Sequence, residues 1–369
     1  MNKSTQISIA VIIVILIGAW FYFNNNPAVA GLKVGAILPL TGEFAFIGEE
    51  MQRGMELALA DYPDVGIKII YEDDQVFDPK TAVNALNKLI NVDKVLVVLN
   101  DVVNTIKAEG PILNEKKVPG IVVWDSNKEI FGLGDYTFSI GLSTEEAGKD
   151  MAKFAFEKLA IKNLSIVSAH DHWSEIISSA FEKEFKNIGG TIDLHEVVNI
   201  NQSDLRINIS KIKSAGSKAI YFPLYSQSLN SLIKQSRELG FTGYLLTGDS
   251  ITDNDIKNLG TYIEGIYLTQ AWLEDKSFFK KYKEKYEEER NPVSLAFAAL
   301  GYDSVKMLAE LFRVMEEKDI GINSQNIRDG LVGFEFDGVS GHTNISADRT
   351  ADKLESILTV KNGQFELVK

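Results

Sequence analysis

Residues 33–60, KVGAILPLTGEFAFIGEEMQRGMELALA, decide the fold. Val34 to Leu38 is a short apolar run that ends in Pro39, Thr41 and Gly42, the profile of a strand entering a loop. Met51, Gly54, Met55, Ala58 and Leu59 then recur three and four apart, so one face of the following helix is apolar. Glu49, Glu50, Gln52 and Arg53 fall largely away from that face. Strand, glycine-containing loop and helix form the opening unit of an open parallel sheet. In such a sheet the loop at the carboxyl end of the first strand faces the ligand crevice, so residues 40–48 are expected to border a binding site.

The unit recurs down the chain. Residues 67–71 read as a second strand, and Asp78-Pro79 as the N-cap and first position of a helix with Ala82, Ala85, Leu86, Leu89 and Ile90 inward. Residues 95–99 are apolar without alternation, as a strand covered on both faces should be. A helix over 105–116 leads to a strand over 119–124. After 140–145 a second set begins: strands over 164–168, 191–197, 219–222 and 244–247 alternate with helices over 175–187, 204–213 and 228–239. The expected fold class is therefore α/β, with two doubly wound parallel-sheet lobes. A strand over 265–269 leads to a charged helix, 276–289, and then, capped by Asn291-Pro292, to a long helix through Phe312. In the charged helix Phe278, Phe279, Tyr282 and Tyr286 recur on one side, which marks a solvated helix with a packed stripe; a docking face for a membrane permease is the alternative.

The 369 residues, less the N-terminal segment, suffice for two domains with their own cores. A formal net charge of −13, with no basic patch, argues against nucleic acid or an anionic membrane surface as partner. Without cysteine there is no disulfide, thiolate metal site, cysteine nucleophile or cysteine-linked lipid. Residues 7–23 are an uninterrupted uncharged run between Lys3 and Asn24. Ala28-Val29-Ala30 before Gly31 fits signal-peptide cleavage near Ala30, whereas the length of the run and its Trp20-Phe21-Tyr22-Phe23 belt fit an uncleaved transmembrane anchor. Both routes export the remainder to the cell surface or periplasm, since Lys3 stays on the cytoplasmic side.

The opening stretch, GYDSVKMLAEL at 301–311 and DGVSGHTNISAD at 337–348 together resemble the branched-chain (leucine/isoleucine/valine) amino acid binding proteins, the type I periplasmic solute-binding proteins of ABC importers. The likeness runs from Leu32 to Lys369. It implies two lobes, residues 31–142 plus 271–343 and residues 143–270 plus 344–369, joined by a three-strand hinge crossed near 141–144, 270–272 and 341–345. Three crossings beside a crevice allow closure on a ligand. The resemblance further implies a monomer that closes on an amino acid and hands it to an ABC permease, with neither cofactor nor catalysis.

Binding a zwitterionic amino acid means replacing water around a carboxylate and an ammonium, since either one buried without partners costs several kcal/mol. Helix N-termini and hydroxyls serve the first group, an acid the second. The resemblance assigns Asn104 and Thr105 to the ligand carboxylate; Asn104 departs from the family's small hydroxyl residues, which makes Thr105 the better candidate, with helix capping as its alternative role. Ser126 stands where the family places Thr or Ser for the carboxylate or amine, and a turn serine is the plain alternative. Its neighbours Trp124 and Asp125 are bulkier and more acidic than usual there, which leaves ligand size and charge open. Asp249, in TGDS, falls at the family's amine-binding acid, with a local cap or Asx-turn as its alternative. Trp173, Tyr225 and Trp124 are expected to wall the pocket, offering apolar area and a ring face for an ammonium, and Ile47 to contact the ligand side chain. His170-Asp171-His172 lacks further ligands at a recognisable spacing, so no metal site is expected. Phosphate loops, nucleophile elbows and HExxH are missing, which leaves an exported enzyme poorly supported. A membrane-anchored sensor with the same lobes remains open, as does a binder of an amide or other polar non-amino-acid ligand, for which Asp125 is the reason.

Overall fold

The computed structural model describes residues 31–368 apart from 43, 76 and 352. The expected anchor or signal segment, 1–30, lies outside the described residues, and among those described no helix is long and apolar enough to cross a membrane. Strand β1 (Leu32–Leu38) is buried from Val34 onward and lies between β2 (Ile67–Asp73) and β3 (Val97–Asn100). With β4 (Gly120–Val122) and, beyond the short β5 (Asp125–Ser126), β6 (Thr137–Ser139), these make a wholly parallel sheet of order β2-β1-β3-β4-β6. Alternate β1 residues serve two cores. Val34, Ala36 and Leu38 pack with Met51 and Met55 of helix Ala45–Asp61 and with helix Pro292–Glu317, while Ile37 packs with Leu86 and Val103 on the opposite face. Both faces are covered, which explains why β1 and β3 read as apolar runs rather than alternating ones.

After β7 (Leu142–Ser143) comes the second sheet. Its β8 (Asn163–Ala169), β9 (Thr191–Val198), β10 (Ala219–Tyr221), β11 (Tyr244–Thr247) and β12 (Tyr267–Gln270) are mutually parallel. The hairpin β13 (Glu335–Gly338) and β14 (Gly341–Asn344) stands apart, whereas β15 (Ser356–Lys361) and β16 (Gln364–Leu367) join β12 as antiparallel edge strands. The sheet is therefore mixed where an all-parallel one was expected. For β15 and β16 the reason is local: Asn362 and Gly363 both have positive φ, 51° and 70°, and such a two-residue turn connects only antiparallel neighbours.

The sequence segments that carried the resemblance meet in space. A Cβ on Gly54 would overlap the Ala298 carbonyl and one on Gly301 the Met51 carbonyl, so helices Ala45–Asp61 and Pro292–Glu317 touch backbone to backbone through the two glycines. Asp303, fully buried in GYDS, accepts hydrogen bonds from the Val339 N–H at 2.7 Å and the Ser340 N–H at 2.9 Å, and so fixes the GVSG turn. Lys353 approaches the same carboxylate at 3.6 Å. The charged helix ends at Tyr286, where Glu287 turns left-handed, and it buries Phe278 and Tyr282 with Phe279 and Tyr286 half-buried beside them.

Between the sheets, three segments run side by side. β5 pairs with β7, and Leu142 bridges in parallel to Lys353; the Leu142 N–H donates to the Trp124 carbonyl at 2.8 Å and the Ser143 N–H to the Lys353 carbonyl at 3.0 Å. Residues 345–351 remain with the first sheet: Ser139 N–H donates to the Arg349 carbonyl at 2.9 Å, and Arg349 Nε to that of Thr137 at 3.1 Å. The chain enters the second sheet only at Ser356.

Candidate functional site

In both sheets the strand order reverses beside the first-entered strand, at β1/β3 and at β8/β10, and the carboxyl ends there face a common cavity of about 580 Å³. This is where an open parallel sheet leaves its crevice. From the first sheet come Phe44 and Ile47 after β1, Asn104 after β3, and Trp124 and Asp125 after β4; from the second come Asp171 and Trp173 after β8, Tyr225 after β10 and Asp249 after β11. The loop over 40–48 borders the cavity as its sequence position requires.

Six of the eight residues singled out from sequence line this space: Ile47, Asn104, Trp124, Trp173, Tyr225 and Asp249. Thr105 and Ser126 do not. Thr105 is fully buried, and its hydroxyl is 3.0 Å from Asp101 Oδ1 and 2.9 Å from the Val102 carbonyl. Ser126, 2 % exposed, sits inside the β5–β7 ribbon opposite Ser143. The order of preference between Asn104 and Thr105 is thus reversed. The helix begins at Val103, two residues before the expected start, which turns Asn104 outward and Thr105 into the core.

Asp125 occupies the N-terminus of that helix. Its Oδ1 accepts the Val103 N–H at 2.8 Å, while Asp101 Oδ1 accepts the N–H of the N-cap residue Val102 at 2.7 Å, so two of the protein's own carboxylates already sit at this helix start. Ser139 Oγ donates to the Asp125 carbonyl at 2.7 Å and fixes the strand end; Gly141 lets the neighbouring backbone pass against Trp124, which a Cβ would block. Burial pushes the Asp125 carboxyl up to about 7, the nearby Asp249 charge adds to this, and the Val103 N–H opposes it.

Asp249 follows Gly248, where a Cβ would lie 2.9 Å from the Trp173 ring, so the glycine of TGDS is the space that the indole needs. Thr247 and Ser250 pin the loop by donating to the carbonyls of Phe222 and Leu224 at 2.7 and 2.6 Å. Burial raises the Asp249 carboxyl to about 6, with the Trp173 and Trp124 indoles acting the other way. Among the described residues no lysine, arginine or histidine forms an ion pair with Asp125 or Asp249. Asp171 caps the helix that starts at His172, accepting the Ser174 N–H at 2.9 Å, and so presents Trp173 in the first turn. Its carboxyl is raised by burial, against the Ser174 N–H and the Tyr225 hydroxyl.

Aromatic rings connect both walls. Phe297 meets Trp124 at 5.1 Å, Trp124 meets Phe77 at 5.7 Å, Phe77 meets Phe44 at 5.1 Å, Phe44 meets Tyr225 at 6.3 Å across the cleft, and Tyr225 meets Trp173 at 5.2 Å. Phe44, Phe77 and Phe297 went unnoticed in the sequence. Phe77 takes a left-handed φ of 54°, rare for an aromatic residue, in a loop whose base is held by Asp73 accepting from the N–H groups of Leu40 and Gln75 at 2.9 and 2.8 Å. No local pattern announces that conformation, and Phe297 reads as one more core position of its helix.

Cavity and sheets define a two-lobed α/β binding protein. The periplasmic binding protein family model matches residues 31–364, and the chain belongs to that family. It is 25% identical over 311 residues to the Leu/Ile/Val-binding protein homolog 1 of Brucella abortus (strain 2308), covering 80% of this chain and 81% of that one. A leucine binding protein from Thermotoga maritima MSB8 superposes with a TM-score of 0.81 at 26% identity, over 92% of this chain and 98% of that chain. An R. palustris solute binding protein in complex with benzoate gives a TM-score of 0.78 at 20% identity, over 92% and 96% of the two chains, and shares the fold. The family consists of solute-binding proteins of ABC transporters rather than enzymes, which act outside the cytoplasm.

Proposed function

We propose that this chain is the extracytoplasmic solute receptor of an ABC importer, which closes two lobes on a small ammonium-bearing solute and presents the closed form to a membrane permease. The observation that carries the reading is Asp249: a half-buried carboxylate with no cationic partner among the described residues, lining a cavity between two sheets and flanked by Trp173 and Trp124. An unpaired buried charge is costly, and a ligand ammonium would supply the missing partner. The lobes would be residues 31–141 with 271–353 and residues 142–270 with 354–368, hinged at the ribbon of β5, β7 and Lys353. Ile47, Asn104, Trp124, Trp173 and Tyr225 would contact the solute, while Thr105 and Ser126 would support the wall from behind.

Titration of the full chain with amino acids and simple amines, followed by tryptophan fluorescence, tests this. Trp124 and Trp173 should report a saturable change, and Asp249→Ala should abolish it at ligand concentrations that saturate the parent. An unchanged affinity in Asp249→Ala, or no response to any ammonium compound by a folded protein, overturns the reading.

A further inference from the structure

We propose that the solute is a small organic cation without a free carboxylate, held between Asp125 on the first sheet and Asp249 on the second inside the aromatic girdle. This rests on the ammonium-receptor reading above and narrows it.

Three independent observations converge. Three donors at the start of helix Val103–Lys116 are already committed to the protein's own acceptors: Val103 N–H to Asp125, Val102 N–H to Asp101, and the Thr105 hydroxyl to Asp101 and the Val102 carbonyl. Of the basic side chains of the cavity wall, two are committed to acids and the third is exposed to solvent. Arg290 bonds Glu50 at 3.0 Å and pairs with Glu288, His172 pairs with Glu129 at 3.0 Å beside Lys107, and Lys257, on the cavity wall, is exposed to solvent. A carboxylate entering between Asp125 and Asp249 would therefore meet like charge. A cation meets the reverse: two carboxylates on opposite walls, and ring faces whose quadrupole attracts positive charge. Oδ1 of Asp125 holds the helix N–H, and its second oxygen enters no ion pair among the described residues. A cation bridging Asp125 and Asp249 also links the two sheets, which gives lobe closure its driving interaction.

The test uses matched pairs that differ by one carboxylate: phenethylamine with phenylalanine, tyramine with tyrosine, cadaverine with lysine, and choline with glycine betaine, each titrated calorimetrically into the full chain at pH 8. In at least one pair the compound without the carboxylate should bind about tenfold tighter or more, and Asp125→Asn should weaken it by about tenfold or more, as expected for removal of one charge partner. Asparagine keeps a carbonyl for the Val103 N–H, so Asp125→Asn should fold, which circular dichroism checks. Tighter binding of the amino acid in every pair that binds overturns the inference and leaves the ammonium receptor standing. Amine binding that Asp125→Asn leaves unchanged overturns the two-acid clamp alone. Binding of 4-hydroxybenzoate, or of nothing in the panel, overturns both readings.

Discussion

Asp125 and Asp249 face the cavity, whereas Asp74, Asp101 and Glu109 lie fully buried beside the first sheet, yet burial raises the carboxyl of all five. In the second group Glu109 reaches about 8 and Asp74 about 6, and Asp101 is raised well above the usual carboxylate range by burial first and by the neighbouring Asp74 charge second. Neither group has an ion-pair partner among the described residues. The difference is access. Where a cavity opens, a ligand can bring the opposite charge; where none does, the proton itself neutralises the acid. Identical residue chemistry thus faces a cavity on one side, where the proposed recognition would use it, and lies in a protonation-dependent core on the other.

The largest effect should separate the two groups by function. Asp249→Ala is expected to cost the bound state about 3 kcal/mol or more, above a hundredfold in affinity, while leaving ligand-free stability unreduced. Calorimetric titration and a thermal melt on the same sample check both parts.

Next comes the core. Glu109→Ala removes the acceptor of the Asn100 side-chain amide and opens a cavity, so stability should fall by about 2–3 kcal/mol with ligand affinity kept, measured by denaturant unfolding. Glu109→Gln keeps an acceptor for that amide and should stay within about 1 kcal/mol of the parent near pH 6.

A pH series should make the groups diverge. The folded carboxyls titrate above their unfolded values, so the unfolded chain loses its protons first; stability is fully present below the unfolded carboxyl range and is lost as pH rises towards 8. Ligand-free stability should therefore drop by on the order of 1–3 kcal/mol between pH 5 and 8, with a shallower slope in Glu109→Gln. Affinity for a cation should move the other way. It needs Asp125 and Asp249 ionised and should rise from pH 5 to 8, as the carboxyls that burial has raised to about 7 and about 6 lose their protons. Parallel trends in stability and affinity would erase the distinction.

Smallest is the effect at the two hydroxyls assigned to ligand from sequence. Thr105→Val and Ser126→Ala should each cost about 1 kcal/mol of stability or less and change affinity by less than about twofold, since neither side chain reaches the cavity.

Sequence alone was enough for the α/β class with its parallel strand–helix units and for part of the candidate site, but not for the antiparallel edge of the second sheet. The 3.6-residue period of 45–61 and the unbroken apolar runs of β1 and β3 are local signals, and both cores assemble from them. Asp249, Trp173 and Tyr225 were picked out by the family resemblance, and each stands a few residues beyond a strand end, where a parallel sheet faces its crevice. Tertiary structure decided the remainder. That Asp125 rather than a ligand caps helix Val103–Lys116 depends on β4 lying beside β3, which brings residues 22 apart to within 2.8 Å. That Phe77, Phe44 and Tyr225 form one girdle depends on a left-handed backbone in one loop and on two sheets meeting across a cleft. Periodicity records which side of its own element a residue occupies, but not which distant group will stand opposite, and the charge of the solute is set by that second fact.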